Sequence, residues 1–231
     1  MSFFNPNLPI LRRKQVCSDL KARQEMRCID LNIGDKTPFS GIYTCIDQVF
    51  ILWGLIEGII FISAQFLPIS WVNQAIIWSI LSLVGTIAMF ILTYSWVKLE
   101  GLRWLLFTWS GLMLLGILVT DLGVFYGWGI VLINLCNLWL IISAVGYLVT
   151  GWGMRSRAFF LATAIHLVAI CFLPLVWRWQ FLATGLVMMS NLFLFAEHQW
   201  DMLLPKDQKK QVTVKPTQKV KLHHQILSSL T

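Results

Sequence analysis

This sequence is short of charge. Asp, Glu, Lys and Arg make up 13% of its 231 residues, hydrophobic residues make up 57%, and the mean hydropathy is +0.71. Soluble domains carry about 25% charged residues, so the balance excludes an ordinary water-soluble enzyme and makes a bilayer the solvent of a single domain. Chemical signatures are missing too. No HExxH or GxSxG occurs, and GDKT at 34–37 lacks the upstream glycine and preceding strand of a phosphate-binding loop.

The five cysteines, Cys17, Cys28, Cys45, Cys136 and Cys171, form no CxxC pair and avoid the outer loops, which argues against a structural disulfide. Only His166 among the histidines falls well inside an apolar stretch. Counting therefore excludes a diiron histidine box and a bis-histidine haem, and leaves a lone imidazole on a tetrapyrrole metal as the remaining cofactor reading. No cofactor and no metal are expected.

What is present is a series of six apolar stretches, at 48–67, 76–96, 104–122, 130–150, 158–176 and 180–198. Each approaches the ~20 residues that a helix needs to cross hydrocarbon. They predict an all-α polytopic membrane fold of six transmembrane helices in three hairpins. A cytoplasmic segment, 1–47, precedes the transmembrane domain, 48–198, and a basic, flexible cytoplasmic tail, 199–231, follows it. The first segment is expected to hold a short helix and to hinge into the bilayer around Gly34, Pro38 and Gly41. Its length and polarity before the first apolar stretch argue against a cleavable signal peptide.

These stretches divide the basic residues unevenly: seventeen of eighteen Lys and Arg lie on one side, and the three opposite loops hold Arg178 alone. Basic residues stay in the cytoplasm, so both termini are expected there, in a bacterial plasma membrane or a thylakoid. Eight Trp residues mark the ends: Trp71, Trp128, Trp177 and Trp179 outside, and Trp96, Trp104, Trp152 and Trp200 inside. The net charge of +7 is explained by topology, and no nucleic-acid partner is expected. Membrane lipids are the expected contacts, and the Lys-rich tail at 206–221 adds attraction to anionic headgroups, at ~1 kcal/mol per basic residue. The sequence sets no oligomeric state.

FLPISWVNQ at 66–74 matches FLPLVWRWQ at 172–180 at five of nine positions. Pro68 and Pro174 are expected to end or kink the outgoing helix, with Gln74 and Gln180 opening the return helix. Duplication of a hairpin and independent recruitment of Pro and Trp to outer turns both account for the match.

Glu57 is the most informative single residue. It falls in the middle of the first stretch, within LWGLIEGII, where an acidic residue costs ~2.5–3.5 kcal/mol on insertion scales. It must face protein or a wet cavity. Gly54 and Gly58 form a GxxxG beside it, which lets another helix approach closely. His166 and Asn191 sit within roughly 3 Å of the same depth at 1.5 Å rise per residue, so Glu57, His166 and Asn191 make up the candidate intramembrane polar site. A midplane proton or cation relay is one reading of it. A neutral Glu–His hydrogen bond of ~0.6 kcal/mol is the structural reading, and the better supported one.

The other polar lining is thin: Ser79, Ser82 and Thr86 in the second stretch, Asn134 and Asn137 in the fourth. Asp121 reads as an interfacial, hydrated residue. Glu197, His198 and Asp201 read as an interfacial collar, with Glu197 and Asp201 an i, i+4 pair on one helical face. His223 and His224, adjacent in the tail, have no assigned role. The sequence as a whole points to a non-catalytic accessory, assembly or scaffold subunit of a membrane complex, with other membrane subunits as partners. The alternative is a small transporter or channel centred on Glu57 and His166.

Overall fold

Thr44 and Asp47 fix the start of the first helix. The Thr44 hydroxyl accepts from the Asp47 N–H at 3.3 Å, and the Asp47 carboxylate accepts from the Thr44 N–H at 2.8 Å, so two otherwise orphaned donors are satisfied reciprocally. Helix α1 then runs Cys45–Phe66 and ends two residues before Pro68, because the residue preceding a proline is pushed out of helical geometry. Ser70 caps the next helix by accepting from the Asn73 N–H at 3.3 Å, and α2 spans Trp71–Glu100. Gly101 closes α2 at φ 76°, a left-handed cap that glycine adopts without a Cβ penalty.

Helix α3 covers Arg103–Phe125. A short α4, Gly129–Ile133, leads through Asn134 into α5, Leu135–Met154. Helix α6, Arg157–Phe172, passes into a 3-10 segment, Leu173–Trp179, before α7, Gln180–Glu197. Val176 leaves helical geometry inside that segment, at φ −118° and ψ 33°, two residues after Pro174. This computed structural model describes residues 4, 9–13, 27–33 and 36–201. The tail from residue 202, with His223 and His224, lies outside the described residues, as does most of the sequence before residue 27.

The body of the chain is all α-helical. Five helical stretches are long and apolar enough to cross a membrane: Cys45–Phe66, Trp71–Glu100, Arg103–Phe125, Leu135–Met154 and the interrupted Arg157–Glu197. This is consistent with an integral membrane protein. Glycine notches set how closely the helices approach. A β-carbon at Gly54 would lie 2.9 Å from Phe193, one at Gly58 2.8 Å from the Met189 sulfur, and one at Gly185 2.6 Å from Phe61. The GxxxG therefore receives α7, the last helix, against α1, the first. Gly146 of α5 is filled in the same way by the Trp109 indole of α3.

The described residues include four strands, which the all-α expectation did not contain. Strand β2, Arg27–Ile33, pairs antiparallel with β3, Lys36–Tyr43, where the sequence reading placed a short helix and a hinge. Ile29, Leu31 and Ile33 alternate with Asp30 and Asn32, a period of two that suits a strand. Pro38 and Gly41 sit within β3, and the register shifts between Leu31 and Ile33, opposite the proline that has no N–H to pair. Strand β1, Leu11–Arg13, pairs with β4, His198–Trp200, immediately after α7.

That ribbon carries Trp200 inward. Its indole is 7% exposed and packs edge-on against Phe50, Phe159 and Phe195 at ring separations of 5.5, 5.5 and 6.0 Å. Trp200 is thus a core residue and not the interfacial marker expected from the sequence, because the chain leaves the helix at His198 and turns it back onto the bundle. Trp104 and Trp152 at the same end, and Trp71, Trp128, Trp177 and Trp179 at the other, are exposed.

Candidate functional site

Four tryptophans do not mark helix ends: Trp53, Trp78, Trp109 and Trp139. All four are buried or half-buried, and Trp53 and Trp109 help to wall a cavity of about 100 Å³. The cavity takes its lining from the first three turns or so of α1 and α3 and the last three of α2 and α5, with Phe159 of α6 and Leu192 of α7, and Ile46, Val97, Leu105 and Met154 stand at the level of the helix ends. It therefore occupies the half of the bundle nearest the β1–β4 ribbon. Glu57 lies in its lining 11 residues beyond Ile46, roughly 16 Å deeper along the helix.

Glu57 is half-buried, and its Oε2 is enclosed without a hydrogen-bond partner. A buried polar atom left unpaired costs ~1–3 kcal/mol, more when it is charged, so this oxygen is an unfilled acceptor. Tyr147 of α5 lines the same cavity. Its ring lies 5.0 Å from the imidazole of His166, tilted by 55°. His166 is fully buried, and its Nδ1 donates to the Ala162 carbonyl at 2.8 Å. That bond assigns the neutral ring's proton to Nδ1 and leaves Nε2 as an acceptor, which is enclosed and also unpartnered.

Glu57 and His166 make no hydrogen bond to each other. Tyr147 stands in relation to both, through the shared cavity on one side and ring contact on the other. Asn191 is buried on α7, and its Nδ2 donates to the Val187 carbonyl of its own helix at 3.0 Å. The three residues at matching depth thus fall on three helices: His166 and Asn191 bond to carbonyls of their own helices, and the enclosed Glu57 oxygen has no partner.

The polar groups at the bundle ends make specific bonds. Asp121 accepts from the Ser79 hydroxyl with both carboxylate oxygens at 2.9 Å, which ties α3 to α2. Gln65 of α1 donates to the Arg178 carbonyl at 3.0 Å and accepts from the Leu182 N–H at 3.3 Å, which caps the start of α7. At the opposite end the Tyr43 hydroxyl donates to Glu197 at 2.8 Å.

Glu197 and Asp201 do not share a helical face. Helix α7 stops at Glu197, and the strand that follows carries Asp201 to the start of α6. There its carboxylate accepts from the Ser156 hydroxyl at 3.0 Å and from the Ala158 and Arg157 N–H groups at 3.2 and 3.3 Å, and it pairs with the Arg157 guanidinium. A carboxylate is favoured there by the unsatisfied amides and the positive end of the helix dipole.

Tyr147 and the cavity are not marked by any motif in the sequence. The available signal was the four mid-span tryptophans: an indole away from the headgroup level has to find protein. Among the described residues no three His, Cys, Asp or Glu side chains gather as a metal site. No protein-family model, no curated protein and no solved structure matches this chain.

Proposed function

We propose that this protein is a non-catalytic, multi-pass accessory, assembly or scaffold subunit of a membrane complex. It crosses the bilayer six times in three hairpins, with both termini in the cytoplasm of a bacterial cell or on the equivalent face of a thylakoid. The sixth crossing is supported by the break at Leu173–Trp179 and by Asp201. Lying just past α7, it caps the start of α6, so the stretch Arg157–Glu197 leaves and returns to one end of the bundle.

The observation that carries the non-catalytic reading is how five of the intramembrane hydroxyls close on their own helices. Thr86, Thr93, Ser110, Thr150 and Thr163 each donate to the carbonyl four residues earlier, at 2.8, 2.7, 2.9, 2.8 and 3.0 Å. Hydroxyls engaged in this way give a solute little to follow. Helix surfaces rich in exposed Leu, Ile, Phe and Trp meet lipid and suit packing against other membrane subunits.

Native gels after mild-detergent extraction, with mass spectrometry of co-purifying chains, test the proposal. The expected result is a larger assembly with defined partners. A strictly monomeric species under several gentle detergents overturns it.

The second reading, a small transporter for a proton, cation or small solute at Glu57 and His166, is favoured by one observation: both residues keep an enclosed atom unpartnered. Under it, Glu57→Gln abolishes flux into proteoliposomes or its pH dependence while assembly survives. Unchanged flux together with weakened assembly favours the accessory role.

A further inference from the structure

The cavity beside Glu57 has a chemistry of its own. Its volume of about 100 Å³ holds several waters by size, since one needs ~10–15 Å³. Water also needs two to four polar partners, and the walls offer few. Thr93 and Thr150 line the space but already donate to Met89 and Gly146, and Thr150 also accepts from the Trp109 indole N–H at 2.9 Å; Ser143 and the Tyr147 phenol are the other hydroxyls in the walls. The enclosed carboxylate oxygen of Glu57 is the acceptor left without a donor.

No Lys, Arg or His lines the cavity, so the carboxylate has no countercharge within it and an anion is excluded. A bare metal ion is unsuited as well, because hard cations take six or more oxygen ligands. Aromatic faces do attract cations, most strongly those of Trp, and three indoles and a phenol stand around this space.

We propose that the cavity binds an organic cation, an ammonium carrying apolar substituents, with the Glu57 carboxylate as its countercharge and Trp53, Trp96, Trp109 and Tyr147 as its walls. The charged nitrogen reaches the depth of Glu57. The apolar substituents fill the space toward Ile46 and Val97, by the helix ends where the ligand enters.

The test uses the full-length protein in nanodiscs of zwitterionic lipid, which offers no competing anionic surface. Isothermal titration with benzyltrimethylammonium is compared with neopentylbenzene, its neutral isostere. The ammonium is expected to bind about tenfold or more tightly than the isostere and to lose that advantage in Glu57→Gln. Thr93→Leu is the second variant. It gives up a hydroxyl that bonds only its own helix and places bulk in the cavity, so it is expected to abolish binding while the protein stays folded by circular dichroism and gel filtration.

Equal affinity for the two probes, no binding of either at millimolar concentration, or ammonium binding that survives both substitutions overturns the proposal. Tighter binding of the neutral probe assigns the cavity to an apolar ligand and overturns it equally. Assembly and binding are separable: a chain that proves monomeric on native gels still binds the ammonium if the cavity is as described.

Discussion

Asp201 accepts from the backbone N–H of Ala158 at 3.2 Å across 43 residues of sequence. The residue that follows the β1–β4 ribbon thereby serves as the N-terminal cap of α6. The same carboxylate binds Ser156 and the Arg157 guanidinium, and it is 3% exposed. Asp201→Ala is expected to lower stability by ~1–3 kcal/mol, the range between loss of a cap and rupture of a partly buried ion pair. Asp201→Asn keeps an acceptor and should cost less. Thermal unfolding of the detergent-solubilised variants measures both, and equal stability of Asp201→Ala and the parent chain contradicts the cap.

Tyr43 and Glu197 join the entry of the first helix to the end of the last. Burial, and then the hydrogen bond to Glu197, push the Tyr43 phenol up to about 12. An unfolded chain ionises Tyr near 10, so its unfolded form releases a proton that the folded form still holds between those two values. The Tyr43 contribution is therefore complete below about pH 10 and is lost as pH rises toward 12. Unfolding midpoints of the parent and Tyr43→Phe, compared from pH 9 to 12, should converge. A gap that stays constant across that range shows that Tyr43 does not titrate as described.

Glycines provide a packing test with an internal control. Gly146→Ala drives a methyl group into the Trp109 ring and is expected to cost ~1–3 kcal/mol as overpacking. Gly111→Ala in α3 meets nothing within 4 Å and should be neutral or slightly stabilising through helix propensity. The two variants are compared in the same unfolding assay. A neutral Gly146→Ala means that α3 and α5 are not seated as closely as the notch requires.

Topology is checked by labelling. In a cysteine-free background, Arg103→Cys and Tyr126→Cys place thiols at opposite ends of α3, and both parent residues are exposed. A membrane-impermeant maleimide applied to sealed right-side-out vesicles should modify residue 126 and spare residue 103 until the vesicles are opened. Labelling of both from one face removes the six-crossing arrangement.

Part of this molecule was legible one residue at a time. Pro68 and Pro174 stop helices within two residues of themselves, and Gly54 and Gly58 announce a close helix contact. Glu57 stands out as a charge without water. The identity of the helix received by the GxxxG was hidden, because Phe193 and Met189 look like any other apolar residues of a lipid-facing stretch. Asp201 was misread for a related reason: i, i+4 spacing implies a shared face only while the helix continues, and α7 ends at Glu197. His166 and Glu57 match in depth, yet depth says nothing about rotation around each helix axis, and nothing in the sequence marks Tyr147 as the residue that touches the His166 ring and lines a cavity with Glu57.

Hydropathy summed along the chain was sufficient to locate the membrane-compatible helices, since transfer into hydrocarbon depends on each residue's own surface and needs no partner. Which faces meet was decided only in three dimensions. Lipid tails are as apolar as a helix interface, so a membrane helix shows little contrast between the face that touches protein and the face that touches lipid. Shape therefore chooses the contacts: notches at Gly54, Gly58 and Gly146, the rings that fill them, and the gap left beside Glu57 where no ring does.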